Sequence, residues 1–208
     1  MQLGFYFDQT RCIACNTCTV ACRDWNQLKP GPVRYRKVTV TETGSNADTV
    51  VYNLSMACNH CEKPACVDAC PTKAIVKREA DGVVIIDKTV CISAGLCVDA
   101  CPYAQPQIAD DKQESAVKAN WKVQHPAQKC TFCWDRLEDG QKPVCVAGCP
   151  ARALDCGDME ELSKKYPDAV LASKGSVPGM PDTKGTAPSF LVKVKGKTPI
   201  VDVWVDDI

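Results

Sequence analysis

Sixteen cysteines dominate the chemistry open to this chain of 208 residues. All but Cys156 fall into four groups: Cys12, Cys15, Cys18 and Cys22; Cys58, Cys61, Cys66 and Cys70; Cys91, Cys97 and Cys101; Cys130, Cys133, Cys145 and Cys149. The first reads C-x2-C-x2-C-x3-C, the second C-x2-C-x4-C-x3-C-P and the fourth C-x2-C-x11-C-x3-C-P. The third would repeat the first but for Ala94, which stands where the second thiol belongs. Cysteines at this spacing hold iron–sulfur clusters, because a tight C-x2-C-x2-C loop wraps three corners of a cubane. Zinc and disulfides are the other uses of a cysteine-dense chain. Structural zinc sites take two separate C-x2–4-C pairs, whereas all four groups here close with C-x3-C and three end in Cys-Pro.

The fourth thiolate of each cubane must come from outside the loop. In two-cluster bacterial ferredoxins, whose runs these groups resemble, it is the last cysteine of the partner run. An internal repeat indicates the partners. Gly4…Asp8-Gln-Thr-Arg-Cys12 parallels Gly82…Asp87-Lys-Thr-Val-Cys91, and Cys70-Pro-Thr-Lys-Ala-Ile75 parallels Cys149-Pro-Ala-Arg-Ala-Leu154. Groups one and four then form one half, and groups two and three the other. The exchange predicts cluster one on Cys12, Cys15, Cys18 and Cys149, and cluster two on Cys22, Cys130, Cys133 and Cys145. Cluster three falls to Cys58, Cys61, Cys66 and Cys101, and cluster four to Cys70, Cys91 and Cys97. Cys156 is left over and reads as a buried free thiol, a small hydrophobe.

These loops need short elements to carry them. Gly4–Cys12 reads as a strand entering the first group, Thr19–Trp25 as a short helix stopped by Pro30 and Pro32, and Val33–Val40 with Thr49–Leu54 as a β-hairpin about Gly44-Ser-Asn46. Thr72–Lys77 and Gly82–Asp87 read as a strand pair around Glu79–Gly82, Met159–Lys165 as a short amphipathic helix, Lys174–Pro188 as loop and Phe190–Lys195 as a strand. The predicted fold is α+β: two pseudo-symmetric ferredoxin-like halves, with a β-hairpin insertion and a C-terminal extension. The first half spans 1–22 plus 125–156 and the second 55–103. The insertion spans 23–54, a surface excursion 104–124 and the extension 157–208.

Composition agrees with a chain organised by its cofactors. Aromatics are few, while 12 Gly and 14 Pro imply many loops, so the apolar core is small and the clusters must help fold the chain. Formal net charge is +0, which gives no footprint for nucleic acid. The N-terminus shows no signal peptide and no twin-arginine motif. The longest apolar runs, such as Val83–Ile86, fall far short of the ~20 residues of a transmembrane helix. No P-loop, dinucleotide fingerprint or nucleophile motif is present, so the chain is expected to do no bond chemistry.

The order and spacing of the groups over residues 3–156 resemble the iron–sulfur subunit of the dimethyl sulfoxide reductase family. Cys12-Ile-Ala-Cys-Asn-Thr-Cys, Cys58-Asn-His-Cys-Glu-Lys-Pro-Ala-Cys, Lys129-Cys-Thr-Phe-Cys-Trp-Asp-Arg136 and Gly140–Asp155 carry the resemblance. It implies an electron-transfer subunit wiring a molybdenum- or tungsten-bis-pterin catalytic subunit to a redox partner, often a quinone-linked membrane anchor. Cluster one would face the pterin subunit and cluster four the membrane side. Membrane association would come through partners, on the periplasmic side by co-export or on the cytoplasmic side. An iron–sulfur subunit of a formate dehydrogenase or hydrogenase complex, and a free polyferredoxin carrier, are the rival readings.

Ala94 departs from that pattern, and a methyl group cannot ligate iron. Ligand count then favours a [3Fe–4S] cluster on Cys70, Cys91 and Cys97 beside three [4Fe–4S] clusters, as in related nitrate reductase subunits with a non-ligand at this position. A [4Fe–4S] cluster with Ser93, Asp87 or water on the fourth iron, and an empty site, are the alternatives. His60, inside the second loop, reads as a surface residue or one that tunes the neighbouring cluster without ligating it, and His125 as surface. Trp25, Trp134 and Tyr103 read as packing near the loops, and Arg136 and Lys142 as solvated charges.

Overall fold

A computed structural model describes residues 1–45, 49–115 and 120–196. A four-stranded sheet ties the two ends of the described chain together, in the order β6 (Leu154–Asp158), β1 (Leu3–Asp8), β8 (Phe190–Lys193), β7 (Val170–Leu171). β1 runs antiparallel to β6, with Phe5 opposite Cys156, and parallel to β8, with Phe5 opposite Phe190. As a central strand it is buried on both faces, which explains its unbroken Phe5-Tyr6-Phe7 run. Phe5 and Phe7 enter the main core, while Tyr6 stacks on Tyr166 at 3.6 Å on the opposite face.

Two separate antiparallel pairs complete the strands, β2 (Arg36–Thr43) with β3 (Val50–Ala57) and β4 (Ile75–Lys77) with β5 (Val84–Ile86). The turn between β4 and β5 brings Gly82 to φ +71°, where a Cβ would also collide with the Gln2 side chain.

The helices are short: α1 (Thr17–Trp25), α2 (Ala65–Asp68), α3 (Leu96–Asp99), α4 (Trp134–Glu138), α5 (Val144–Ala147) and α6 (Met159–Lys165). α2, α3 and α5 are single turns set off by Pro64, Gly95 and Pro143 at their N-caps. Each carries a cysteine at its second position, Cys66, Cys97 or Cys145, and delivers the next to its end, Cys70, Cys101 or Cys149. One turn of helix is unstable alone, so these turns depend on what their cysteines hold. The cysteines also sit inside the core rather than around it. Cys18, Cys22, Cys58, Cys61, Cys130, Cys145 and Cys149 belong to the main cluster of buried side chains, and Cys66, Cys91 and Cys97 to a second one.

Several expectations shift. α1 starts at Thr17, two residues earlier than its predicted start, and the first hairpin strand starts at Arg36, leaving buried Val33 and Tyr35 as an ordered lead-in. The described part of the excursion, residues 104–115 and 120–124, is not surface throughout: Gln105, Ala109 and Gln113 are buried. Gln113 explains part of this, because its amide group bonds Val33 N at 2.9 Å, Lys29 O at 2.8 Å and Val33 O at 3.1 Å. The C-terminal segment is also more than an appendage, since β8 lies between β1 and β7. Asn46 of the expected hairpin turn and residues 197–208 of the extension lie outside the described residues.

Candidate iron–sulfur centres

Each cysteine loop bends through the same backbone device. The second residue after the first cysteine has positive φ in all four groups: Ala14 (53°), His60 (42°), Ser93 (57°) and Phe132 (62°). None is glycine, so each loop holds local strain that its surroundings must offset. The bend turns backbone amides toward sulfur. Phe132 N–H lies 3.3 Å from Cys130 Sγ and Ser93 N–H 3.5 Å from Cys91 Sγ. Ala153 N–H reaches Cys149 Sγ at 3.3 Å and Ala127 N–H reaches Cys91 Sγ at 3.4 Å. Inward-facing amides of this kind form a concavity for an anionic group.

Cys12, Cys15, Cys18 and Cys149 line one cavity, walled by Phe7, Val38 and Leu154. Cys58, Cys61, Cys66 and Cys101 line a second with Val84, Tyr103 and Thr186. Cys70, Cys91 and Cys97 line a third with Ile75, Ala94 and Leu96. The three are closely similar in extent, the third included although it lacks the fourth thiol. Cys22, Cys130, Cys133 and Cys145 also face one another. Burial pushes Cys22 up to about 12, Cys133 to about 11 and Cys130 well above its ordinary value, and their mutual repulsion as thiolates adds to each. The structure therefore gathers every cysteine of the four expected sets with its set-mates.

Burial also raises Cys61 and Cys66 to about 12. Ligation needs thiolates, so loading these buried sites must release protons. Hydroxyls supplement the amides: Cys18 Sγ lies 3.3 Å from Ser55 Oγ, Cys15 Sγ 3.4 Å from Thr17 Oγ1 and Cys70 Sγ 3.8 Å from Thr72 Oγ1. Four clustered sulfurs, apolar walls and inward amides suit a cluster that carries net negative charge, and the residues present fit that group.

The vacant corner has few oxygen donors to offer. Ser93 lines the cavity, but its Oγ donates to His125 O at 2.6 Å. Asp87 is exposed and caps the Thr89 amide and hydroxyl at 2.8 and 2.7 Å, outside the cavity wall.

The four sets differ in access. Cys15 is exposed beside Ile13 and Val20, and the Ala94 cavity is rimmed by exposed Ile92 and Leu96. Cys58, Cys61, Cys66, Cys130, Cys133 and Cys145 are buried.

Several flanking residues are placed differently from expectation. His60 is fully buried: its Nδ1 accepts Val84 N–H at 3.0 Å, and its ring meets Phe132 edge-on. His125 is half-buried and lies 2.9 Å from Asp111 Oδ1. Lys142 pairs with Asp155 at 2.8 Å, and Arg136 lies over the Trp25 ring at 4.7 Å while donating to Lys142 O, so neither is merely solvated. Tyr103 packs against the second cavity as expected, whereas Trp25 and Trp134 are exposed. Cys156 is partly buried in β6, its thiol pushed up to about 12 by burial and by Asp155. Sequence reasoning missed two buried cations, Arg36 and Lys129; Lys129 donates to Val84 O and to Cys130 O. A Lys or Arg with no neighbouring acidic residue in sequence carries no local sign of burial.

Comparison with known proteins agrees with this geometry. Two 4Fe-4S dicluster domain families match, one over residues 49–159 and the other over 11–74. A component of the anaerobic dimethyl sulfoxide reductase of Escherichia coli K12 is 38% identical over 200 residues, covering 92% of this chain and 88% of that protein. A component of the tetrathionate reductase of Salmonella typhimurium is 35% identical (90% and 70% covered), and the formate dehydrogenase iron-sulfur subunit of Wolinella succinogenes 34% (88% and 94%). With its cysteine sets assembled as a cluster-binding scaffold and its likeness running nearly end to end, this protein belongs to the family of iron–sulfur electron-transfer subunits of dimethyl sulfoxide reductase-type molybdopterin oxidoreductases.

Proposed function

We propose that the chain relays electrons, one at a time, between a molybdenum- or tungsten-bis-pterin catalytic subunit and a second redox partner. The observation that carries this reading is the contrast in access. The set of Cys22, Cys130, Cys133 and Cys145 is buried throughout, whereas Cys15 is exposed beside Ile13 and the Ala94 cavity is rimmed by exposed Ile92 and Leu96. A carrier with two docking faces needs that arrangement. A bound cluster supplies one-electron oxidation and reduction without bond chemistry. The protein's own residues hold the irons, exclude water from the buried cysteines and present amides and hydroxyls to sulfur.

The ligand sets are Cys12, Cys15, Cys18 and Cys149; Cys22, Cys130, Cys133 and Cys145; Cys58, Cys61, Cys66 and Cys101; and Cys70, Cys91 and Cys97. The first three hold [4Fe–4S] clusters and the last a [3Fe–4S] cluster. Three cysteines still converge on its cavity, and Ser93 and Asp87 are engaged elsewhere. Two pseudo-symmetric halves carry the sets, 1–22 plus 125–156 and 55–103, with the hairpin as an insertion and residues from 157 as an extension. No helix among the described residues is long and apolar enough to cross a membrane. By likeness to its relatives, membrane association, on whichever side, comes through an anchor subunit docked near the Ala94 cavity.

The test is purification from the native host. The chain is expected to co-purify with a large molybdenum- or tungsten-containing subunit, and the oxidised complex to show the EPR signal of a [3Fe–4S] cluster with about 15 irons per copy. Isolation of a free, redox-active chain would overturn the reading.

A further inference from the structure

Arg36 opens β2 with its guanidinium sealed inside the protein, 2% exposed. Nη1 donates to Ser55 O and to Ser55 Oγ, both at 3.1 Å, and Cζ lies 4.8 Å from the centre of the Phe5 ring. Nε and Nη2 have no hydrogen-bond partner among the described residues. A buried cation left this way costs several kcal/mol unless an opposite charge and acceptors are supplied. The groups facing it that become anionic on binding iron are Cys145, Cys18, Cys130 and Cys22. Three of the four belong to one cysteine set. The fourth, Cys18, is reached through Ser55, whose Oγ lies 3.3 Å from its sulfur. Lys129, the other buried cation, differs because its ammonium already donates to two carbonyls.

We propose that Arg36 is the internal counter-ion of the cluster held by Cys22, Cys130, Cys133 and Cys145. Its Nε and Nη2 hydrogens, left without a protein acceptor, are free to donate to sulfide of that cluster, and its fixed charge raises the cluster's potential. One electron added there is stabilised by a cation that is present in both redox states. No proton moves with the electron, because a guanidinium stays protonated. The Ser55 bridge extends a weaker effect to the set containing Cys18. Arg36 is a positioning residue, and the inference rests on the cluster reading of these four cysteines.

The experiment is an EPR-monitored redox titration of the assembled complex carrying Arg36→Met or Arg36→Lys, with the cluster assigned by the signal that Cys133→Ser alters. Wild-type iron content is measured first: loss of this cluster from the wild type would refute the cluster reading itself. With the cluster present, Arg36→Met is expected to lower its midpoint by a tenfold or greater change in the oxidised-to-reduced ratio, about 59 mV for one electron. The Cys58 and Cys91 sets move by less. Arg36→Lys, which keeps the charge and loses the fork, falls between. Unshifted midpoints in Arg36→Met, or equal shifts of all clusters, overturn the proposal. If Arg36→Met loses iron, Arg36→Lys decides. Retained iron with a smaller downward shift supports the proposal, while iron loss or an unshifted midpoint in that variant overturns it.

Discussion

His60 meets Phe132 edge to face, ring centres 5.2 Å apart and planes at 80°, and the two occupy the same position in different cysteine loops. The contact joins the loop of Cys58 and Cys61 to that of Cys130 and Cys133. Phe132 also stacks on Phe5 of β1 at 4.3 Å, and His60 Nδ1 accepts the Val84 amide of β5. The series Phe5–Phe132–His60–Val84 thus spans the molecule from its central sheet to the β4–β5 pair. Burial, then the nearby Lys129 charge, holds the imidazole well below its ordinary pKa, so it stays neutral. Phe132 is 1% exposed, and truncation to Ala is expected to cost about 3–5 kcal/mol. Phe132→Leu should cost less, about 1–2 kcal/mol. Chemical denaturation of the holo-protein, followed by cluster absorbance, ranks the two; equal midpoints would show that the contact bears little.

Thr186 closes the cavity of Cys58, Cys61, Cys66 and Cys101 from the C-terminal segment. Its Oγ1 donates to Thr183 O at 2.7 Å, which commits its one hydrogen, and accepts from Tyr103 Oη at 2.7 Å. The segment is pinned on either side: Glu62 N–H donates to Ala187 O, Lys63 N–H to Thr186 O and Ser189 N–H to Asn59 O. Thr186→Val keeps the shape and orphans the Tyr103 hydroxyl, at a cost of about 1–2 kcal/mol. Replacing this polar group on the cavity wall also shifts the potential of that cluster alone. A redox titration showing the Cys58 cluster unmoved, with the other clusters as internal reference, would contradict that role.

The cysteine sets were legible because iron coordination imposes fixed spacings and the repeat named the partner runs. β1, the strand pairs and α6 were legible from alternation and turn residues. The shared bend was not, because Ala14, His60, Ser93 and Phe132 are types that give no sign of positive φ. Thr186 was equally hidden, since a Gly-Thr-Ala stretch says nothing of a cavity whose cysteines lie far away in sequence. Gln113 sits in a polar run that reads as surface, yet three hydrogen bonds satisfy its amide inside. Burial of a polar residue is decided by partners distant in the chain.

Asp155 gathers Lys142 Nζ, Lys165 Nζ and Tyr166 Oη, each at 2.8 Å. Burial alone would raise its carboxyl, but these bonds outweigh it and hold it far below the usual range. A depressed carboxyl binds fewer protons folded than unfolded, so its stabilisation is complete above about pH 4 and fades as the pH falls below that. Both lysines are largely exposed, which limits the effect to about 1–2 kcal/mol at neutral pH. Asp155→Asn should lower the unfolding temperature by a constant amount between pH 5.5 and 8, with the gap narrowing toward pH 3. A gap that widens on acidification would reverse the assignment.

Ala94 offers the most direct test of the remaining corner. It follows Ser93, whose φ of 57° belongs to the shared bend, and precedes Gly95 at 78°, so the loop already follows the course of its cysteine-bearing counterparts. The cavity is as large as those lined by four thiols. Ala94→Cys should therefore place a thiolate at the open corner without rebuilding the loop. Iron is expected to rise from about 15 to about 16 per chain, and the EPR signal of the oxidised protein to disappear as a [4Fe–4S] cluster replaces the [3Fe–4S] one. Ser93→Ala, which removes only the hydroxyl bonded to His125 O, should leave the iron count and the signal unchanged. If Ser93→Ala lowers the iron content instead, the serine oxygen is a ligand, and the wild-type cluster is an atypical cubane.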